Sequence, residues 1–88
     1  MLPLSFAILR LSLRHDEIDA PIVMAELAND YGRSRQFTGR AIAEQLMTAQ
    51  VNGLLEEVGH GFDDDGHLVI RYRATQSGRA LIARYIGA

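Results

Sequence analysis

Arg33, Ser34, Arg35, Gln36, Thr38 and Arg40 bring three guanidinium groups, two hydroxyls and an amide into eight residues that hold no acid. A guanidinium is planar and permanently charged. It pairs through two parallel bonds with a phosphate, or with O6 and N7 of a guanine. Hydroxyl and amide side chains add phosphate contacts. In this reading Arg35, Gln36 and Arg40 face a groove, while Arg33, Ser34 and Thr38 lie nearer a sugar-phosphate backbone. A second pair, Arg71 and Arg73, alternates with Ile70 and Tyr72. On an extended strand that spacing puts both arginines on one face, where they would meet flanking phosphates. The plainer alternative is that these arginines are solvated, or pair with Asp30, Glu44 or Glu57.

Other reactive residue types are present without a convincing pattern. His60, Asp63, Asp65 and His67 combine imidazole and carboxylate, which suits zinc and similar ions. Their sequence gives no supporting shell, so they read as a solvated turn and no metal site is expected. Ser12, His15 and Asp16 crowd the end of a helix, which does not make a catalytic triad. There is no cysteine, no glycine-rich phosphate loop and no nucleophile elbow. Neither catalysis nor a cofactor is expected. Tyr31, Tyr72 and Tyr85 read as packing residues, and Phe37 either packs into the turn around it or projects toward a partner.

The elements that must hold these groups follow from periodicity. Pro3 suits a first helical turn, and Leu4, Ala7, Ile8 and Leu11 form one stripe on a helix reaching to about Arg14. Phe6, Leu9 and Leu13 form a second stripe, so this helix is apolar on two sides. Asp19 and Pro21 start a second helix running from Ala20 to about Asp30, with Val23, Leu27 and Ala28 facing inward. Tyr31-Gly32 is expected to end it, since glycine tolerates the left-handed conformation that a helix terminus often needs. A third helix is expected from about Arg35 to Gln50, capped by Ser34 or Thr38, with Ile42, Leu46 and Ala49 buried. Asn52-Gly53 closes it. Leu54–His60 and His67–Ala74 read as two strands joined through Asp65-Gly66, a strong hairpin pair. Leu68, Ile70 and Tyr72 share one face of the second strand. Thr75 caps a last helix through Tyr85, packed by Leu81, Ile82, Tyr85 and Ile86.

Eighty-eight residues, 48% hydrophobic and 23% charged, fit one globular domain spanning 1–88 rather than a disordered tail. No apolar stretch approaches the roughly 20 residues of a membrane span. Residues 1–13 read as a helix of the mature protein, and the expected compartment is the cytoplasm. The net charge is −2, and all nine basic residues are arginine. The charges are segregated: acids dominate 16–30 and 41–65, arginines dominate 31–40 and 66–88. Net charge therefore says little about any one face.

The order of helix, helix, short glycine turn, helix, hairpin, helix is a helix-turn-helix followed by a wing. In this order, Leu4-Ser5-Phe6-Ala7-Ile8-Leu9, Leu27-Ala28 before Tyr31-Gly32, Asn52-Gly53-Leu54-Leu55, and above all Tyr72-Arg73-Ala74-Thr75-Gln76-Ser77-Gly78-Arg79 resemble the winged helix-turn-helix transcription regulators. The likeness is nearest to the PadR-like and MarR-like repressors and covers most of the chain. Ala74 stands where that family usually has a larger apolar residue, Arg33–Thr38 is about one residue long for the turn, and the tip Asp63-Asp64-Asp65 is acidic.

The resemblance implies a mainly α fold with a small β-hairpin: a three-helix bundle, a wing and a C-terminal helix. It implies a regulator that binds double-stranded DNA, with the third helix in the major groove, and represses by occupancy. The two-sided apolarity of the first helix, together with the last helix, points to a homodimer joined through both. The alternative is a protein-docking module on the same fold, favoured by the acidic surfaces, an exposed Phe37 and Met47, and the net charge.

Overall fold

The computed structural model describes residues 1–87. Four helices and a two-stranded antiparallel hairpin follow one another as α1 (Leu4–Ser12), α2 (Ala20–Tyr31), α3 (Gly39–Val51), β1 (Leu55–Phe62), β2 (Leu68–Ala74) and α4 (Gln76–Tyr85). The helix-rich layout with one hairpin is compatible with a winged-helix arrangement.

Three of the four helices begin on a side-chain cap. Asp19 accepts from the Ile22 amide at 2.8 Å, Thr38 from Ala41 at 3.1 Å, and Thr75 from Gly78 at 2.9 Å. Each bond satisfies a backbone donor that the first turn would otherwise leave unpaired. Pro21 lies in the first turn of α2, where its missing N–H costs nothing.

The helices close on one core. Ile8 and Leu11 of α1, Val23 of α2, and Ile42 and Leu46 of α3 are buried with Ile18, Leu55 and Tyr72. Burying each aliphatic side chain of this size contributes about 1.5–3 kcal/mol. The hairpin joins that core through a register in which Leu55 faces Ala74 and Phe62 faces Leu68, with a bulge between Glu57 and Gly59. Gly66, at φ 81°, takes the left-handed turn conformation at the tip.

Two further ties fix the hairpin. Ile18 and Tyr72 exchange backbone hydrogen bonds, each 2.8 Å, so the α1–α2 connection runs as a one-residue third strand beside β2. At the other end, Thr75 donates its amide to Leu54 O at 3.0 Å and its hydroxyl to Gly53 O at 2.7 Å. There α4 sits so close to the chain that a Cβ on Gly78 would overlap the Leu54 carbonyl.

The elements differ from the sequence expectation at identifiable places. Gly32 ends α2 as expected, but as a right-handed C-cap at φ −59° with its amide bonded to Ala28 O, rather than in a left-handed conformation. Helix α3 starts at Gly39, four residues later than expected. Tight turns, Ser34 N to Tyr31 O and Phe37 N to Ser34 O, occupy 31–37 first. Phe37 is half-buried against the core, which settles it as a packing residue rather than an exposed one and anchors the chain just before the Thr38 cap. Ala28, expected inside, is exposed because α2 turns only Val23 fully into the core. On α4, Ile82 alone of the expected apolar set is buried; Leu81 and Tyr85 are exposed and Ile86 is half-buried.

Candidate nucleic-acid interface

The cationic segment is built around a corner. Helix α2 brings the chain to Tyr31, whose hydroxyl donates to Leu2 O and ties this end of the helix to the N-terminal segment. The chain then turns twice before α3. Ser34 Oγ accepts from the Gln36 amide at 3.2 Å, stiffening the second turn. Because 33–36 lie in this corner, Arg33, Ser34, Arg35 and Gln36 precede α3 instead of riding on it. All four are exposed. Neither the Arg33 nor the Arg35 side chain has an ion pair or hydrogen bond among the described residues.

Thr38 and Arg40 occupy the start of α3, Thr38 as its cap and Arg40 in its first turn. The amides of a helix start that its cap leaves unpaired favour an anion, and guanidinium groups on the same stretch add to that field. Arg40 Nε lies 3.5 Å from Glu44 Oε1, with 92% of the arginine side chain exposed. A pair so exposed holds its partners weakly. Arg33 and Arg35 thus precede α3 and Arg40 lies in its first turn, with a single acid, Glu44, within ion-pair distance of any of them among the described residues.

The outward face of α3 beyond that first turn is not cationic. Glu44, Met47, Thr48 and Val51 follow Arg40 along it, and all are exposed. Met47 and Val51 are 55% and 84% exposed.

Arg71 and Arg73 lie elsewhere and are differently placed. Arg71 crosses β1 at the glycine that faces it: a Cβ on Gly59 would meet its guanidinium. From there Nη1 donates to His60 O at 3.3 Å and Nε lies 3.4 Å from Glu17 Oε1. Arg73 Nη2 lies 3.6 Å from Glu56 Oε2, both side chains half-exposed. The acid partners of Arg71 and Arg73 are thus Glu17 and Glu56; of Asp30, Glu44 and Glu57, the acids that the sequence offers the arginines, Glu44 pairs with Arg40. Glu17 comes within reach only because Ile18 pairs with Tyr72. The clue in the sequence is the short alternation Glu17-Ile18-Asp19, which is too brief to read as a strand by itself.

At the hairpin tip, Asp63 Oδ1 accepts from the amides of Asp65 at 2.9 Å and His67 at 2.8 Å, and Oδ2 lies 3.4 Å from His67 Nδ1. The hydrogen bond from the His67 amide is the main reason that the Asp63 carboxyl titrates below its ordinary value of 3.8. Ligand atoms of Asp63, Asp65 and His67 fall within 4.8 Å of one another, and His60 stands outside the group. Asp63 is occupied in closing the turn, so the cluster has a structural explanation. Away from the tip in sequence, His15 Nε2 lies 2.9 Å from Glu26 Oε1, fastening the α1–α2 connection to α2.

No protein-family model matches this chain, and no curated protein matches it in sequence. Among the described residues, no helix is long and apolar enough to cross a membrane.

Proposed function

We propose that the chain is a winged helix-turn-helix domain that binds double-stranded DNA and regulates transcription by occupying its site. The observation that carries this reading is the corner before α3: Arg33 and Arg35 are exposed and free of acid partners, beside the capped start of a helix that bears Arg40. In the proposed complex the first turn of α3 enters the major groove. Arg40 and Gln36 approach base edges, and Arg33, Arg35, Ser34 and Thr38 hold the flanking phosphates. Arg71 and Arg73 contribute less, because each must first leave an acid. The acidic tip at Asp63–Asp65 stays clear of phosphate.

The same proposal makes the protein a homodimer through α1 and α4, which touch each other. Phe6 of α1 and Leu81 and Tyr85 of α4 are large apolar side chains left exposed by the fold. A two-fold copy covering them would set two α3 helices on one duplex, as palindromic sites require.

One observation favours a second reading, a protein-docking module. The α3 face behind Arg40 offers Met47 and Val51 beside Glu44, a surface suited to apolar contact. Salt separates the two readings. Fluorescence anisotropy with a pool of random-sequence duplexes, repeated across a salt series, should show affinity falling steeply as phosphate counterions return. Absent or salt-independent binding would remove the DNA reading and leave the docking one.

A further inference from the structure

A groove lies between the hairpin and the two central helices, and of its lining side chains the duplex reading uses only Arg40. Its volume is about 620 Å³, within the range of roughly 300–1,000 Å³ that small-molecule sites occupy. Met24 of α2, Ala43 and Met47 of α3, and Leu68, Ile70 and Tyr72 of β2 form its walls. The fold leaves this surface wet: Met47 is 55% and Leu68 58% exposed. The methionines have flexible, polarisable side chains that adapt to an aliphatic guest. The rings in the lining are the phenol of Tyr72, which is buried, and the imidazole of His67, whose Nδ1 faces Asp63 Oδ2 at 3.4 Å.

Besides the buried Tyr72 phenol, Arg40, Asp63 and His67 are the ionisable side chains that line the groove. Asp63 is engaged on both oxygens, by two backbone amides and by the His67 ring. Arg40 is held only by its exposed 3.5 Å contact with Glu44, which is not part of the lining. The permanently charged group of the lining that is available to a ligand is therefore the Arg40 guanidinium, whose planar fork matches a carboxylate.

From this charge complementarity we infer that the groove binds an aliphatic carboxylate, its chain between Met24, Met47 and Ile70 and its head on Arg40. The site does not depend on DNA binding, since its walls and rim belong to the isolated domain.

The chain has three methionines, at 1, 24 and 47, and two of them report on the groove. In the full chain labelled with ¹³C-methyl methionine, decanoate added below its micellar range should shift the Met24 and Met47 methyl signals to saturation and leave Met1 in place. Decyltrimethylammonium, with the same chain and the opposite charge, should bind at least tenfold more weakly, and Arg40→Gln should weaken decanoate about tenfold. Arg40 is exposed, so that variant keeps the fold, and its unchanged Met1 and core signals would verify it. The inference is overturned if Met24 and Met47 do not shift, if Met1 moves with them, if the cationic amphiphile binds equally well, or if Arg40→Gln leaves the affinity unchanged.

Discussion

Arg33 and Arg35 before α3 and Arg71 and Arg73 on β2 are chemically identical pairs, each spaced by two, yet the fold treats them in opposite ways. The first pair stands on an exposed corner, and the side chains meet no acid among the described residues. The second pair lies on a sheet, and a sheet brings neighbours: Glu56 from the adjoining strand, and Glu17 from the segment that Ile18 pins beside Tyr72. Cationic charge able to act on a partner is thus a property of the local backbone rather than of the count of arginines. A chain of net charge −2 can present a positive corner because most of its acids lie in other segments.

The sharpest way to break the contrast is to remove one pair at a time. Replacing Arg33 and Arg35 by alanine should weaken duplex binding by about 3 kcal/mol, two charge-assisted contacts at about 1.5 kcal/mol each, and reduce the salt slope by about 2. The Arg71→Ala, Arg73→Ala double variant should stay within about threefold of the parent in the same anisotropy assay, because its arginines are already engaged. Equal losses from both doubles would erase the distinction.

A smaller effect concerns what holds the corner. Thr38→Ala removes the α3 cap, and chemical denaturation should show about 1 kcal/mol less stability. If α3 is as firm without its cap, the corner is held by Phe37 alone. The smallest effect is at the acidic tip. Asp63 titrates below its ordinary value in the folded state, so its contribution to stability is complete above 3.8 and is lost as pH falls through the folded value. An acid titration followed by the amide signals of Asp65 and His67 should show the tip loosening only there, and Asp63→Ala should abolish that step. A tip that is indifferent to this substitution would mean the turn is held by Gly66 and the backbone.

Much of the fold was legible because it follows local rules. Asp19 and Thr75 cap helices as their spacing implies, Ile42, Leu46 and Ala49 form the buried stripe of α3, and Tyr72 lies on the inner face of its strand. What escaped depends on contacts distant in sequence. Phe37 is drawn into the core, which delays α3 to Gly39 and moves Arg33–Gln36 off the helix onto the corner; periodicity cannot see that pull. The partners of Arg71 and Arg73 lie 54 and 17 residues away, at Glu17 and Glu56, and only the strand register and the Ile18 bridge bring them near. The groove under the hairpin was equally hidden, since its walls come from three separate elements.

The central claim is that the corner before α3 meets the duplex. Backbone amide shift mapping of the full chain, titrated with a duplex chosen from a random pool, tests it residue by residue. The account predicts that the largest changes fall at Arg33–Arg40, with the tip at Asp63–Asp65 unaffected. Changes centred on Met47, Phe62 and Leu68, or none at any duplex concentration, would contradict it.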